Sequence, residues 1–214
     1  SVDSNKISWE GWDVRISLTP DEGVVLHELS LNGRPILFRA AMSDMVVPYG
    51  SADPMHSWKA VHDGTEYGFG RLSNSLTLAC DCLGEIHYFN ASGISFDGSV
   101  EVIENAICLH EEDYGIQWKH NDGMGAPNEV RRSRRLVISS ISTIGNYDYG
   151  LFWYLYLDGT IEAEVKLTGI VGISAYNEQK HNPNQDLRIS KELVSPVHQH
   201  LFCMRLDWNL DGGN

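Results

Sequence analysis

Apolar and polar residues alternate along most of this 214-residue chain, and turn residues interrupt the alternation about every 8–12 residues. The segment DVRISLTP alternates at Val14, Ile16 and Leu18, and RRLVISSISTI follows the same rule. Because successive side chains of a strand point to opposite faces of a sheet, such alternation is typical of half-buried β-strands. The pattern predicts an all-β sandwich or barrel, with one short helical candidate near DPMHSWKAVHDG.

Individual segments predict particular strands, a hairpin and a loop. Asn32-Gly33 is a hairpin signal between two strands, and the continuously apolar LFWYLYL predicts a strand covered on both faces. NSLTLACDCLG reads as an alternating strand, and AICLHEEDYGIQWKH as two strands with a turn near residues 113–115. The polar stretch 177–196 contains two prolines and predicts a long loop, which in compact domains is often functional.

The charge of the chain argues against nucleic acid as its main partner. Sixteen Lys and Arg stand against 29 Asp and Glu, a net charge of −13, whereas phosphate binding relies on clustered positive charge. The one basic cluster, RRSRR at 131–135, runs straight into LVISSIS and is interpreted as a solvated strand entrance. No apolar run approaches the ~20 residues of a membrane helix, so no membrane contact is expected.

His198 and His200 are separated by one residue in VHQHLFCMRLD, which reads as a strand. Residues i and i+2 of a strand point the same way, about 7 Å apart, so two imidazoles can converge on one metal. The alternative is a surface pair, since the pattern is common by chance. Two imidazoles suit copper or zinc, and an open site favours copper or iron redox chemistry.

Two further stretches carry polar and aromatic residues among turn formers. Tyr147 follows Gly145-Asn146 and precedes Asp148, and YGSADPMHSWKAVHDGTEYGFG contains Tyr49 and Asp63. The simplest interpretation of each is an aromatic or acidic residue at a turn, which for a single Asp is the usual explanation.

Four cysteines are present, at 80, 82, 108 and 203. They form no CxxC pair, which disfavours a structural zinc site. One bridge between Cys108 and either Cys80 or Cys82 is compatible with the spacing. The composition does not decide the redox compartment, and the cellular location stays unknown.

Taken together, these features resemble the catalytic domain of the copper amine oxidases. TIGNYDYG at 143–150 is similar to the cofactor motif of that family, Thr-x-x-Asn-Tyr-Asp/Glu, and His198-Gln199-His200 to its copper pair. The motif followed by HxH some fifty residues later is far more specific than either alone. The resemblance covers nearly the whole chain and includes YGSADPMHSW, NSLTLACDCLGEIHYF and ICLHEEDYGIQWKH in the same order.

The resemblance implies a function. Members of the family oxidise primary amines with O₂ to aldehyde, ammonia and hydrogen peroxide, using copper(II) and topaquinone, a quinone made from the motif tyrosine. It implies that Tyr147 is the cofactor precursor, that Asp63 is the general base and that Tyr49 hydrogen-bonds the quinone oxygen. Asn146 would pack on the ring, and His198 and His200 would bind copper.

The resemblance also implies a fold and partners. The fold would be a large antiparallel β sandwich, of which residues 1–214 would be an incomplete portion truncated at both ends, and the protein would be a homodimer. Cys82 and Cys108 match a family disulfide. Asp207, the backbone of Trp208 and Asn209 resemble part of a peripheral calcium site.

Some features depart from the family pattern. Val61 stands where some members have an aromatic gate, which predicts a wider substrate channel. The third copper histidine of the family would lie beyond Asn214, so these 214 residues alone are expected to be inactive. The alternative function is a non-catalytic β-sandwich binding domain, or an inactive fragment that keeps only the His-x-His pair. The joint presence of Tyr147, Asp63 and Tyr49 with that pair favours the enzyme.

Overall fold

The structure, a computed structural model, is an antiparallel β sandwich, as predicted. It describes residues 1–51, 53–56, 58–59, 62–95, 97–123, 125 and 127–211. Val61, the gate position, lies outside these residues.

Two large sheets are formed in the described residues, with a small third sheet beside them. The first sheet has the order β1-β2-β3-β4-β5-β14, the second β10-β9-β8-β7-β6, and the third β11-β13-β12. The strand bounds are β1 Val2–Asp3, β2 Lys6–Trp9, β3 Trp12–Thr19, β4 Gly23–Leu31, β5 Arg34–Val46, β6 His87–Ile94, β7 Val100–His120, β8 Glu129–Ile144, β9 Tyr147–Tyr156, β10 Ile161–Gly169, β11 Ser174–Ala175, β12 Asp186–Arg188, β13 Leu193–Pro196 and β14 Leu201–Trp208.

The core lies between the two large sheets. Leu26 and Met42 of the first sheet share one buried cluster with Ile138 and Trp153 of the second. Each fully buried side chain of this size contributes about 1.5–3 kcal/mol to the free energy of folding. The indole N–H of Trp12 also crosses the sandwich and donates to the carbonyl of Tyr156 at 2.8 Å.

The two clearest strand predictions are confirmed. Asn32 and Gly33 join β4 to β5 with φ of 52° and 76°, the left-handed conformation that a type I′ hairpin requires at both positions. LFWYLYL forms the body of β9, inside the second sheet. Leu151 and Leu155 face the main core, while Tyr154 packs in a separate buried cluster on the other face.

Other predictions of elements are wrong. AICLHEEDYGIQWKH is one long strand, β7, because Gly115 at φ 89° absorbs an irregularity in its register with β8 instead of reversing the chain. The stretch 177–196 contains β12 and β13 and is not a simple loop. The helical candidate forms turns at 53–56, and the helix found among the described residues is a π-helix at Gly64–Gly68.

The basic cluster lies in β8, beside the acidic residues of β7. Arg134 bonds Glu111 at 2.9 Å and Arg135 bonds Glu112 at 2.8 Å, while Arg132 pairs with Asp113. Exposed pairs of this kind are screened by solvent and contribute little to the free energy of folding. Acidic residues of β7 therefore balance the positive charges of the cluster, and the exposed pairs agree with the interpretation as a solvated strand entrance.

The cysteines require a correction. Residues 77–82 form a turn and not a strand, with Ala79 at φ 69°, so Cys80 is exposed while Cys82 is buried. Cys82 packs against Cys108, as the family pairing predicts, but all four cysteines are free thiols and the expected disulfide is absent. Burial and contact with the Cys82 thiol raise the pKa of Cys108, which favours its neutral thiol. Joining the Cys82 and Cys108 thiols as a disulfide requires an oxidant, and a sequence pattern cannot show whether one is available.

Within the described residues, no helix is long and apolar enough to span a membrane.

Candidate active site

The motif TIGNYD forms the hairpin between β8 and β9. Gly145 and Asn146 are its two loop residues, and Gly145 has φ 62°. A glycine with positive φ at the first of two loop positions is the requirement of a type II′ turn. Thr143 and Asp148 face each other across the strands, and the threonine hydroxyl donates to the carboxylate at 2.5 Å. The polar residues around Tyr147 are thus explained by a tight turn that begins β9.

Tyr147 lies against both histidines. Its ring centroid is 5.5 Å from that of His198 and 5.4 Å from that of His200. The backbone N–H of Gly172 donates to its hydroxyl oxygen at 3.1 Å. The hairpin end of the second sheet therefore meets the segment that leads into β14 of the first sheet.

The two imidazoles converge as the spacing predicts, although they precede β14 and are not part of it. Their centroids are 5.0 Å apart with planes 70° to each other. His198 donates from Nδ1 to the carbonyl of Pro196 at 2.9 Å, which leaves Nε2 as the ring nitrogen that can face a metal. Burial, and then the neighbouring His198, lower the pKa of His200 to about 4. His200 is therefore neutral near pH 7, the form that binds metals.

Backbone pairing places Tyr49 next to His198. The N–H of Gly50 donates to the carbonyl of Val197 at 2.7 Å, and Tyr49 forms a bridge with His198. The ring of Tyr49 consequently stacks on the imidazole of His198, 4.7 Å between centroids. Burial, followed by the neighbouring phenol of Tyr147, raises the pKa of Tyr49, so its hydroxyl remains a hydrogen-bond donor.

Asp63 immediately precedes the π-helix, which is held tightly against β5. A Cβ on Gly64 would lie 2.7 Å from the backbone nitrogen of Met45, so only glycine permits this approach. Burial, and then the nearby carboxylates of Glu66 and Asp44, raise the pKa of Asp63 to about 6. A carboxylate with such a pKa is an effective base near neutral pH.

One cavity joins these residues. It has a volume of about 260 Å³ and is lined by Tyr49, Asp63, Asn146 and Tyr147, among others. The segment after β5, the residue before the π-helix and the β8–β9 hairpin therefore all contribute candidate residues to this cavity. Asn146 lines it beside Tyr147.

The donor set at His198 and His200, two imidazoles next to a phenol, fits copper. The described residues contain no group of three or more His, Cys, Asp or Glu arranged to hold a metal ion. The pair thus provides two ligands of a metal centre.

Asp207 and Asn209, predicted as part of a peripheral calcium site, lie at the C-terminal end of β14 and directly after it. Asp207 is paired with Arg205 at 3.1 Å, and its charge also acts on Arg39. The backbone N–H of Asn209 donates to the carbonyl of Ile36. Calcium binding at this position stays a prediction, because a hard cation prefers six to eight oxygen ligands and these two residues would supply only part of them.

Sequence reasoning missed Tyr149. It is 1% exposed, and its hydroxyl lies 3.1 Å from Nδ1 of His200. A hydrogen bond on one ring nitrogen orients the imidazole and leaves the other nitrogen for a metal. The available signal was the spacing: Tyr147 and Tyr149 are i and i+2 on one strand and so share a face.

Gly169 supports the backbone of Tyr147, and its substitution should be costly. Its φ is 97°, and an added Cβ would lie 2.5 Å from the Asn146 carbonyl oxygen and 2.9 Å from Cα of Tyr147. Gly33 is a matched control, because it also has a positive φ (76°) but has no heavy atom within 4 Å of the added Cβ. Gly169→Ala should therefore destabilise the fold by about 1–3 kcal/mol more than Gly33→Ala in denaturant unfolding. Equal losses would contradict the close packing at Gly169.

Comparison with known proteins gives one consistent result. The family model described as "Copper amine oxidase, enzyme domain" matches residues 1–214. Among curated relatives, the histamine oxidase of Arthrobacter globiformis is 49% identical over 220 residues, covering 99% of this chain and 31% of the relative. The primary amine oxidase of Arthrobacter sp. (strain P1) is 46% identical, covering 99% and 33%.

Solved structures agree in fold. A copper-containing benzylamine oxidase from Hansenula polymorpha superposes with a TM-score of 0.91 at 34% identity, covering 99% of this chain and 33% of that one. An amine oxidase of Aspergillus nidulans gives 0.88 at 26% identity, covering 97% and 28%. The chain spans about a third of the length of the relatives it matches.

Proposed function

Because this chain belongs to the copper amine oxidase family, we propose that residues 1–214 are part of the catalytic domain of a primary-amine oxidase that uses copper and topaquinone. The reaction converts a primary amine, O₂ and water into an aldehyde, ammonia and hydrogen peroxide. The observation that carries the proposal is that Tyr147 lies against both imidazoles and shares a cavity with Asp63 and Tyr49.

Each residue has a role in this proposal. His198 and His200 hold copper, and Tyr147 is the precursor of the quinone. When present, these groups supply an electrophilic carbonyl and an acceptor for the two electrons that leave the amine. The protein's own task is to bind the amine, orient the ring at residue 147 and move protons.

Asp63 performs the proton transfer from carbon. Its carboxylate takes the proton from the carbon next to the amine nitrogen, and its raised pKa keeps proton affinity high while leaving the group largely ionised above pH 6. Tyr49, held in place by its stack on His198, donates its hydroxyl hydrogen to an oxygen of the ring at 147.

The proposal is tested with the full-length gene product, purified without copper and then loaded with copper in air. We expect a phenylhydrazine-reactive chromophore, and then equal amounts of aldehyde and hydrogen peroxide when a primary amine such as phenylethylamine is added. His198→Ala should lose both properties, whereas His120→Ala, at an exposed position of β7, should keep them. Copper bound beside an unmodified Tyr147, with no peroxide, would indicate the non-catalytic binding domain instead.

We also propose that the 214 residues by themselves are inactive, because their described part supplies two imidazoles to the metal. Sustained peroxide production by these residues alone would contradict this. The likeness to the family further leads us to propose a homodimer, which analytical ultracentrifugation would test.

A further inference from the structure

We infer, on the basis of the proposed function, that Asp44 is a positioning residue: its carboxylate bonds to the chain on both sides of Asp63 and so holds the proposed general base at the cavity. Asp44 lies in β5, and the described residues that line the cavity include Asp63 but not Asp44. Its influence on the reaction therefore has to act through Asp63.

The carboxylate of Asp44 accepts hydrogen bonds from the residues that flank Asp63. Nδ1 of His62, directly before Asp63, donates to Oδ2 at 2.6 Å. Two residues after Asp63, the backbone N–H and the hydroxyl of Thr65 donate to Oδ1 at 3.3 and 3.4 Å. The N–H of Met45 donates to the same oxygen at 2.8 Å, which orients the carboxylate on its own strand. One side chain of β5 therefore fixes the chain before and after the base.

The backbone around Asp63 depends on this attachment. His62 forms an antiparallel bridge with Val46, and a Cβ on Gly64 would lie 3.0 Å from Cα of Asp44, so the segment rests directly on β5. Asp63 itself makes no capping hydrogen bond to the π-helix that follows it. Its carboxylate is therefore placed by the backbone, and a displacement of about 1 Å of a reacting group can slow a reaction about 10²-fold.

Asp44 also acts on Asp63 through its charge. Burial alone would raise the pKa of Asp44, but the hydrogen bonds from His62 and Met45 hold it below its ordinary value, so the group is ionised near neutral pH. This charge raises the pKa of Asp63, after burial and Glu66. The other titratable groups that share the cavity with Asp63 are Tyr49, Lys59, Tyr67, Tyr147 and Tyr149. Holding the base and raising its proton affinity are separate effects, and substitutions can separate them.

The test measures anaerobic reduction of the cofactor by phenylethylamine in the full-length gene product as a function of pH. Asp44→Ala should lower the limiting rate at high pH about 10- to 100-fold and move the midpoint to lower pH. Asp44→Asn keeps an acceptor oxygen without the charge, so it should recover most of the limiting rate and keep the shifted midpoint. Glu66→Gln is the matched control, because it removes only a charge that acts on Asp63 and should move only the midpoint. His62→Ala deletes the shortest of the bonds at a side chain that is 61% exposed, and it should lower the limiting rate even if Asp44→Ala does not fold.

A second measurement separates this inference from the proposed function. Amide hydrogen exchange of the copper-free protein should be faster over residues 62–69 in Asp44→Ala and His62→Ala than in the wild type, and unchanged in Glu66→Gln. If the wild type oxidises no amine but exchange increases in these two variants, the proposed function fails and the attachment of Asp63 through Asp44 stands. Unchanged exchange, or faster exchange with the limiting rate of the wild type, would show that Asp44 does not position the base.

Discussion

The Tyr147→Phe variant of the full-length gene product is expected to bind copper and yet produce no amine-dependent peroxide, a loss of at least about 10⁴-fold. The reason is chemical, because phenylalanine lacks the phenolic oxygen at which oxidation of the ring begins. The hydroxyl concerned accepts a hydrogen bond from the N–H of Gly172, and Tyr147 lines the cavity with its ring against the two imidazoles. Peptide mapping of the copper-loaded wild-type protein should find residue 147 with two additional oxygens and two fewer hydrogens.

Tyr154→Phe is the control for this experiment. Tyr154 lies on the same strand but faces the opposite side of the sheet, where its hydroxyl donates to Glu164 at 2.6 Å. That variant should form the cofactor and turn over normally, with at most a loss of stability of about 0.5–1.5 kcal/mol from the missing hydrogen bond. An unmodified tyrosine at 147 in an active wild-type protein, or activity in Tyr147→Phe, would remove this residue from the mechanism.

The Asp63→Asn variant should form the cofactor normally but be reduced by amine 10²- to 10⁴-fold more slowly, on the order of magnitude of a lost general base. In the wild-type protein the reduction rate should increase with pH through about 6, because only the ionised carboxylate can accept the proton and its pKa is near 6. The variant should lack this dependence. Stopped-flow measurement of anaerobic cofactor reduction as a function of pH provides the comparison.

Glu66→Gln is the informative control for Asp63. The charge of Glu66 contributes to the raised pKa of Asp63, so its removal should shift the pH profile to lower pH while keeping a fast reaction. Asp63→Asn should not destabilise the fold at neutral pH, since burial disfavours the charge that it removes. A normal reduction rate in Asp63→Asn would exclude it as the base.

Much of the fold followed from local patterns. The Asn32-Gly33 hairpin and the buried strand LFWYLYL were predictable because their signals, a left-handed turn and continuous apolarity, act over a few residues. The long strand β7 was not, because Gly115 within an acidic segment reads as a turn. Pairing with β8 decides otherwise, since arginines across the ladder stabilise the continuous strand.

The sequence by itself determined the kinds of chemistry available: a tyrosine on a tight glycine-asparagine turn, two histidines at strand spacing and an aspartate among glycines. These depend on local backbone geometry and on the reactivity of side chains, which neighbours in sequence already define. Only the tertiary structure decided which groups meet. The contact between Tyr147 and His198 and the bond of Tyr149 to His200 each join residues that are 51 apart in sequence, and the raised pKa of Asp63 depends first on its burial. Such proximity arises from the packing of two sheets, and no local pattern encodes it.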